Sequence, residues 1–406
     1  MILRWKQWFL TTCCLALLMN PVLAGKPGSG GGTAPPPVLP NVRYRVAVIP
    51  VAVGGVNKIS NRGVAIGSIA NPSSALLSQA FLYDHDGTGR LYDLNNDLDL
   101  LPIQDQLSLV YGPEWFFQTA IGINDSGQVV GRLRNANTGV EKGFALDTFG
   151  LSDPAFWTLL PLPELASNRV GATRINSMGD VLGVYQRSDN TWDCFLCNPW
   201  LDAPSTPALV FGLSLRFNGR TSHMATLNNW GQVAGMLSDG TPFFDSNPRS
   251  GPPSLQTYRN LSCSAVSGLN DSGVFCASGR QKTGTKWGPD GAFRYDVIGG
   301  LSDRILNGGS SNAINASGDV VLSDFYGKAI LAYNGSSSVS KQLITVTALV
   351  PDNDPSKPLL INNSFEVRDL NDRDATGFGQ LLGQVQSTQS DGSIRVTGVV
   401  LTPYTP

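Results

Sequence analysis

The stretch AIGINDSGQVVG, Ala120–Gly131, has the pattern of a β-hairpin. Two apolar runs flank a polar loop that begins at Asn124, a residue type whose side chain bonds the local backbone and favours a turn. Gly127 supplies the positive φ that the last loop residue of a short hairpin with a bulge requires. The closing Gly131 allows a neighbouring backbone to approach closely. The same phrase recurs along the chain, and the recurrence decides the fold.

Seven copies of this phrase divide the chain into units whose starts lie 42 to 64 residues apart. They begin at Ile59, Ile123, Ile175, Leu227, Leu269, Ile314 and, in degenerate form, Leu370. After each copy comes a predicted third strand, centred on Phe81, Phe144, Phe195, Phe243, Phe293, Ile330 and Val400. A fourth apolar run follows in four units, starting near Arg90, Ala155, Ala208 and Leu343. Four short strands in about 50 residues are typical of a propeller blade.

The repeats therefore predict an all-β fold, a seven-bladed β-propeller of four-stranded antiparallel blades over residues 41–406. The last unit ends at Pro406 without a fourth strand, and a spare strand, Arg43–Ile49, precedes the first unit. We expect this strand to complete the last blade, because closing the ring removes an exposed sheet edge. An open array of independent hairpin units is the alternative.

The N-terminus has the features of an export signal. Arg4 and Lys6 precede an apolar run, and Ala24 ends a site that signal peptidase accepts, so residues 1–24 are interpreted as a signal peptide. A retained N-terminal anchor is the alternative. Residues 25–40 form a Gly/Pro-rich linker. We expect a secreted protein, extracellular or periplasmic, with no membrane span, because no later segment approaches the ~20 apolar residues that one needs.

Composition excludes some functions. Hydrophobic residues make up 41% of the chain and charged residues 15%, which is enough apolar material for a large core. Without Arg4 and Lys6, 27 basic residues stand against 31 acidic ones and no basic stripe is present. The chain therefore lacks the electrostatic footprint of a nucleic-acid-binding protein. We expect a monomer with no cofactor.

The phrases GINDSGQVVG followed by GFALD, and FLYDHDGTGRLYDL from Phe81, resemble the repeats of bacterial extracellular HAF-repeat proteins. The resemblance covers almost all of the chain after the linker. It implies export and a β-propeller-like fold, and it implies no established reaction or shared catalytic residues. The histidine of the HAF motif is absent, because its place is taken by Gln79, Lys142, Asp193, Thr241, Gly291 and Lys328.

Residues that carry chemistry are few. The histidines are His85 and His223, and we interpret both as surface or structural residues. The turn DHDGTG, Asp84–Gly89, begins like a calcium loop, but the twelfth position is Asn95 and not glutamate. A hairpin turn is the favoured interpretation, and binding of a metal by Asp84 and Asp86 is the alternative.

Three carboxylates, Asp125, Asp271 and Asp372, occupy equivalent loop positions. Paired carboxylates hydrolyse glycosides. The other copies carry different residues at this position, namely Asn61, Ser177, Asn229 and Ala316, and a preference for turn residues explains that mixture. No catalytic, cofactor-binding or metal-binding residue is therefore predicted.

Four cysteines follow the signal peptide. Cys194 and Cys197 lie three residues apart in a predicted strand, so their side chains point to opposite faces. Simple pairing across the next hairpin places Cys276 opposite Ser267, which misses Cys263. Free or buried thiols are favoured, with a Cys263–Cys276 disulfide as the alternative.

Six tryptophans beyond the signal peptide lead to no single interpretation. Exposed aromatic rings suit stacking on sugars, whereas blades also bury aromatic side chains between sheets. These residues are Trp115, Trp157, Trp192, Trp200, Trp230 and Trp287.

These features predict a secreted, non-enzymatic binding or cell-surface interaction module that uses loops at one end of the ring and takes a protein or carbohydrate ligand. The alternative is a secreted polysaccharide hydrolase or lyase with carboxylates at the central pocket. A structural envelope protein is a third interpretation. Fold alone does not choose among them, because propellers host unrelated functions.

Overall fold

Regular structure in the chain is mostly antiparallel β-strand. The computed structural model describes residues 41–70, 78–165, 167–201, 209–213, 215, 225–249, 255–333, 342–372 and 376–406. The signal peptide and linker predicted for residues 1–40, and His223, lie outside these residues. No helix in the described part of the chain is long and apolar enough to cross a membrane.

Strands follow one another in the order that the seven repeats predict. In the first three repeats they are β1 (Arg43–Ile59), β2 (Val64–Ile69), β3 (Gln79–Asp84), β4 (Leu91–Asp93), β5 (Trp115–Ile123), β6 (Gln128–Asn135), β7 (Glu141–Asp147), β8 (Thr158–Leu160), β9 (Val170–Ile175), β10 (Val181–Gln186), β11 (Trp192–Cys197) and β12 (Leu209–Val210). In the next two they are β13 (Ala225–Leu227), β14 (Val233–Met236), β15 (Pro242–Asp245), β16 (Leu255–Thr257), β17 (Leu261–Leu269), β18 (Val274–Thr283), β19 (Lys286–Trp287), β20 (Gly291–Asp296) and β21 (Leu301–Asn307). In the last two they are β22 (Ser310–Ile314), β23 (Val320–Ser323), β24 (Ala329–Tyr333), β25 (Gln342–Thr345), β26 (Ser364–Leu370), β27 (Leu381–Thr388) and β28 (Ile394–Tyr404).

Within each repeat, neighbouring strands pair antiparallel in chain order. Four repeats form separate four-stranded sheets, which are β5–β8, β9–β12, β13–β16 and β22–β25. The fifth repeat forms the same arrangement from β17, β18, β20 and β21, with the short β19 added to β18. The prediction of an all-β fold with four-stranded antiparallel sheets is therefore confirmed.

The first and last repeats share one strand. Arg43–Val48, the first part of β1, pairs with β28 from Tyr404 to Val399, as predicted for the N-terminal strand. After a register shift the same strand continues and pairs with β2 from Val53 onward. The sequence predicts two separate strands here. The structure instead has one continuous strand, which joins both repeats into a seven-stranded sheet, β26-β27-β28-β1-β2-β3-β4.

Among the described residues, two α-helices interrupt the repeats, α1 (Leu101–Tyr111) and α2 (Lys357–Ile361). The strand pattern does not predict α1, which accounts for the longest interval between two repeats. Its first turn contains Pro102, a residue type favoured at the start of helices. It buries Ile103 and Leu107 in the core shared by the first two repeats.

The core consists of seven clusters of buried side chains, each shared by two consecutive repeats. Six clusters lie between consecutive repeats, the first between repeats one and two and the last between repeats six and seven. The seventh joins the last repeat to the first, where Leu382 and Val400 pack with Ile49 and Phe81. The aromatic residues predicted at the centre of third strands are among the largest buried side chains of the core, and they are Phe81, Phe144, Phe195, Phe243 and Phe293.

The hairpin glycines have the conformations that the phrase predicts. The turn glycines of all seven copies have φ between 73° and 82°, a region in which other L-residues are strained. At the end of the phrase, a Cβ atom on Gly131 would overlap the carbonyl oxygen of Thr119 and the ring of Phe144. Close approach of the backbone there requires glycine.

Candidate functional site

The seven hairpin turns converge on one cavity. It has a volume of about 210 Å³ and is lined by the ends of the first strands and the turns that follow, at residues 56–61, 123–125, 174–177, 226–229, 267–271, 312–316 and 368–372. Every repeat contributes to this lining. Residues at equivalent places in the phrase therefore form layers around the cavity, and three of these layers carry polar or charged side chains.

The outermost buried layer is a chain of asparagine side chains. The Oδ1 atom of Asn124 accepts hydrogen bonds from the amides of Ser126 and Gln128, as expected for a turn-forming asparagine. Its Nδ2 atom donates to the carbonyl oxygen of Asn176 in the next repeat at 2.9 Å. Asn176, Asn228, Asn270, Asn315 and Asn371 continue the series, and the last of these donates to Ser60 in the first repeat. Each asparagine thus shapes its own turn and holds the next one.

This asparagine chain contributes to stability because its members are buried and saturated with hydrogen bonds. In Asn228→Ala, the carbonyl of Asn270 and the side chain of Gln232 lose their donor, and two backbone amides lose their acceptor. We expect a loss of about 2 kcal/mol in the free energy of unfolding. Urea denaturation measures it as a lower midpoint with an unchanged slope. Asn137→Ala, in an exposed turn, is the control, and an equal loss in both variants would contradict this role.

The next layer, at the mouth of the cavity, contains the three equivalent carboxylates. Asp125 accepts from the backbone amide of Asn61 at 2.7 Å and from its side chain at 2.9 Å. Asp271 accepts in the same way from Asn229, at 2.8 and 2.9 Å. Asp372 accepts from the amide of Ala316 and from the side chain of Asn61. All three carboxylates therefore act as acceptors that clamp one turn to the next.

The interior of the cavity carries a charged layer two residues before the asparagines. Asp369 is buried and accepts from Lys58 Nζ at 3.0 Å and from the amide of Ile59 at 2.9 Å. Arg174 also lines the cavity, and its Nη1 atom donates to the carbonyl oxygen of Thr173 at 2.8 Å. Arg368, the residue before Asp369, pairs with Glu366 at 2.9 Å.

Burial determines how these groups ionise. It raises the pKa of the Asp369 carboxyl above its usual range, and the Lys58 ammonium opposes that rise. It lowers the pKa of the Arg174 guanidinium, against the attraction of Asp369. Both shifts follow from the cost of holding a charge away from water.

Exposed apolar side chains lie in the turns beside the cavity and in loops that contact those turns. Met178 and Trp230 lie in the turns of the third and fourth repeats, whereas Phe149, Leu201 and Ile298 lie in loops after third strands. These loops contact the same turns: for example, Asn198 Nδ2 donates to the carbonyl oxygen of Met178 at 3.0 Å. The five side chains, here named the apolar rim, are 56% to 85% exposed.

The Asp84–Gly89 turn forms the hairpin that the sequence favours. Asp84 is buried and accepts from the amide and the hydroxyl of Thr88 at 2.7 and 2.9 Å. Asp86 accepts from Gln380 Nε2, and His85 Nε2 lies 3.0 Å from the hydroxyl of Thr402. These contacts tie the turn to the last repeat. No group of three or more metal-ligating side chains occurs among the described residues.

The four cysteines that follow the predicted signal peptide are buried, and no disulfide joins them. Cys194 and Cys197 belong to different core clusters, on opposite faces of β11. Cys276 pairs with Gly268 and not with Ser267, because the turn takes one residue more than the simple pairing assumes. Cys263 pairs with Gly279. Burial raises the pKa of the Cys263 and Cys276 thiols to about 12.

The tryptophans have different environments. Trp157 and Trp192 are buried, and Trp200 donates its indole N–H to Asp147 at 2.9 Å. Trp230 and Trp287 are exposed, but only Trp230 is part of the rim. A side groove of about 270 Å³ contains Trp115, where Lys142 lies over its ring.

Alignment of the seven phrases contains a signal for the charged layer, although sequence reasoning missed it. Two residues before the turn asparagine or Ser60, three copies have Lys58, Arg174 and Asp369. The other four have Gly122, Thr226, Gly268 and Ala313. Equivalent positions of the repeats lie close together around the cavity, so charged residues at this position in three copies indicate that the charges are near one another.

Comparison with known proteins yields structural similarity only. No protein family model and no curated protein matches the chain. The β-propeller domain of the Trilobed protease from Pyrococcus furiosus is similar at 8% identity, with 88% of this chain and 93% of that chain covered and a TM-score of 0.47. A PL25 ulvan lyase shares 12% identity, with 87% and 93% covered and a TM-score of 0.40. The Aleuria aurantia lectin shares 14% identity, with 70% and 93% covered and a TM-score of 0.32. Sequence identities this low do not assign an activity to this chain.

Proposed function

We propose that the seven repeats form a seven-bladed β-propeller closed by the N-terminal strand. Three observations support a closed ring. The core clusters run from each repeat to the next and from the last back to the first. The asparagine chain likewise returns from Asn371 to Ser60, and the first part of β1 pairs with β28. Each of these contacts joins the two ends of the described chain.

On this scaffold we propose a secreted, non-enzymatic binding module whose apolar rim binds a protein partner. The observation that carries the proposal is the clustering of five exposed apolar side chains at one end of the sheets. Scattered exposed apolar residues need no explanation, but a group around a concave site marks an interaction surface. Three of the five are aliphatic or Met, which favours a protein partner over stacking on sugars.

Charge around the rim adds to the description of that partner. Asp125, Asp271 and Asp372 line the cavity at the same end of the sheets as the rim. Their hydrogen bonds come from neutral amide groups, and none of the three forms an ion pair with another described residue. A complementary partner surface has an apolar centre flanked by lysine or arginine side chains.

Site-specific crosslinking tests the rim. Benzophenone-phenylalanine at position 149 or 230 should crosslink one protein in the source cells, whereas the same group at Leu109, exposed on α1, should not. Leu201→Ser with Ile298→Ser should reduce the crosslink about tenfold or more, because truncation of central apolar contacts costs 1 kcal/mol or more each. Equal crosslinking from positions 109 and 230 would contradict the proposal.

A polysaccharide hydrolase or lyase is the second candidate, and one observation favours it. Oxygens of Asp125 and Asp372 both accept from Asn61 Nδ2, at 2.9 and 3.0 Å, which places them less than about 6 Å apart. A general acid must donate a proton, however, and both groups act here as acceptors. Saturable binding to a polysaccharide array, with turnover lost in Asp125→Asn, would replace the binding module by this enzyme.

A further inference from the structure

We propose that the central cavity is a binding site for a small oxyanion, a carboxylate, sulfate or phosphate group held by Arg174. This site lies inside the ring of turns, whereas the proposed partner binds the apolar rim outside it. The two proposals rest on different residues and different measurements, so either can fail without the other.

The first argument is that no anionic group of the described residues contacts Arg174 directly, although Asp369 attracts its guanidinium from beyond ion-pair distance. Its only hydrogen bond among the described residues runs from Nη1 to the carbonyl oxygen of Thr173, and it forms no ion pair with them. A guanidinium has five N–H donors in a planar fork that matches the two oxygens of a carboxylate, sulfate or phosphate. The remaining donors therefore suit a ligand that presents paired oxygens.

The second argument is the charge of the interior layer. Lys58 and Asp369 form one ion pair, and Arg368 is paired with Glu366. Arg174 is the remaining charge of this group. A charge withdrawn from water is costly unless it is paired, and a bound anion supplies that pairing. The carboxylates at the mouth do not supply it directly, because their hydrogen bonds run to Asn61, Asn229 and the Ala316 amide.

The third argument is room. The cavity of about 210 Å³ is several times the ~30 Å³ that one water molecule takes in the liquid. Lys58 and Arg174 line this cavity together with the small residues Gly268 and Ala313. A small oxyanion fits beside Arg174 together with some water.

Thermal unfolding of the purified protein tests the site with sodium sulfate, phosphate and acetate up to 10 mM, each against sodium chloride at equal ionic strength. Sulfate also stabilises proteins without binding, because it is excluded from their surface. The signal is therefore the saturable part of the shift that Arg174→Gln loses. We expect about ten- to a hundredfold weaker binding in that variant, and no change in Arg395→Gln, an exposed control.

A second measurement keeps the proposal falsifiable if Arg174→Gln does not fold. Crystals of the unmodified protein soaked in selenate should show an anomalous peak within hydrogen-bond distance of Arg174. No saturable shift and no peak would mean that the cavity holds only water, and the proposal would be wrong. Sodium glucuronate added as a competitor separates a free inorganic ion from an acidic group carried by a sugar.

Discussion

Deletion of residues 1–49 should abolish cooperative folding, whereas deletion of residues 1–40 should leave the melting temperature unchanged. The longer deletion removes the part of β1 that pairs with β28 from Tyr404 to Val399. It also removes Tyr44, which is fully buried and donates its hydroxyl to the carbonyl oxygen of Gly379 at 2.9 Å. Ile49 is lost from the core between the last and first repeats.

The size of this effect follows from what the strand buries. Loss of a buried aromatic side chain alone costs about 3–5 kcal/mol, and whole domains are stable by only about 5–15 kcal/mol. The deletion additionally leaves β28, Ile394–Tyr404, as an unpaired edge that invites aggregation. Size-exclusion chromatography and circular dichroism melting should show aggregates or an unfolded chain.

A graded series separates pairing from side-chain packing. Tyr44→Phe removes only the hydroxyl and should cost about 1 kcal/mol, whereas Tyr44→Ala should cost about 3–5 kcal/mol. If the protein lacking residues 1–49 melts within two degrees of the protein lacking residues 1–40, the strand does not close the fold. The proposal of a closed propeller would then be wrong.

Local physics made most of the fold predictable from sequence. Each copy of the phrase predicts its own strands, because its turn glycine, its turn-forming asparagine and its alternating apolar residues all act within one hairpin. The buried Phe144 and its equivalents follow in the same way. Helix α1 escaped prediction because Leu101–Tyr111 is an insertion between repeats, and the repeat pattern carries no information about insertions.

The contents of the cavity were less predictable because they depend on contacts between repeats. A single copy of the phrase explains why Asn124 forms a turn. It does not predict the hydrogen bond from Asn124 to Asn176, because the two residues are 52 positions apart in the chain. Likewise Lys58 and Asp369 are 311 residues apart and meet only when the first and last repeats are adjacent. The apolar rim also needed the structure, since Met178 and Ile298 come from different loops.

Lys58→Met should be the most destabilising single substitution in the cavity at neutral pH, with a loss of about 3 kcal/mol. Asp369 stays buried and loses the ammonium at 3.0 Å, and breaking a buried ion pair typically costs about 3–5 kcal/mol. The lower end applies because the Lys58 side chain is 36% exposed. Lys142→Met is the matched control, because Lys142 forms an ion pair at the same distance with the exposed Glu164, and removal of a pair with a solvent-exposed partner should change stability little.

The loss of stability in Lys58→Met should depend on pH, because it leaves the buried Asp369 carboxyl without its cation. Burial already raises the pKa of Asp369 in the folded protein, and removal of Lys58 raises it further. The folded state then binds more protons than the unfolded state, in which the pKa is about 3.9. Stability contributed by the protonated form is fully present at low pH and is lost as pH rises through the folded pKa. Urea unfolding of Lys58→Met should therefore show a smaller deficit at pH 4.5 than at pH 7.

The double variant Lys58→Met with Asp369→Leu distinguishes an unpaired charge from lost packing. Replacement of both partners by apolar residues should restore much of the stability at pH 7, because no buried carboxylate remains without its cation. A deficit that is independent of pH and persists in the double variant would instead assign the loss to packing around Ile59. In the first case, the charged layer stabilises the contact between the last repeat and the first, because Lys58 compensates the buried charge of Asp369.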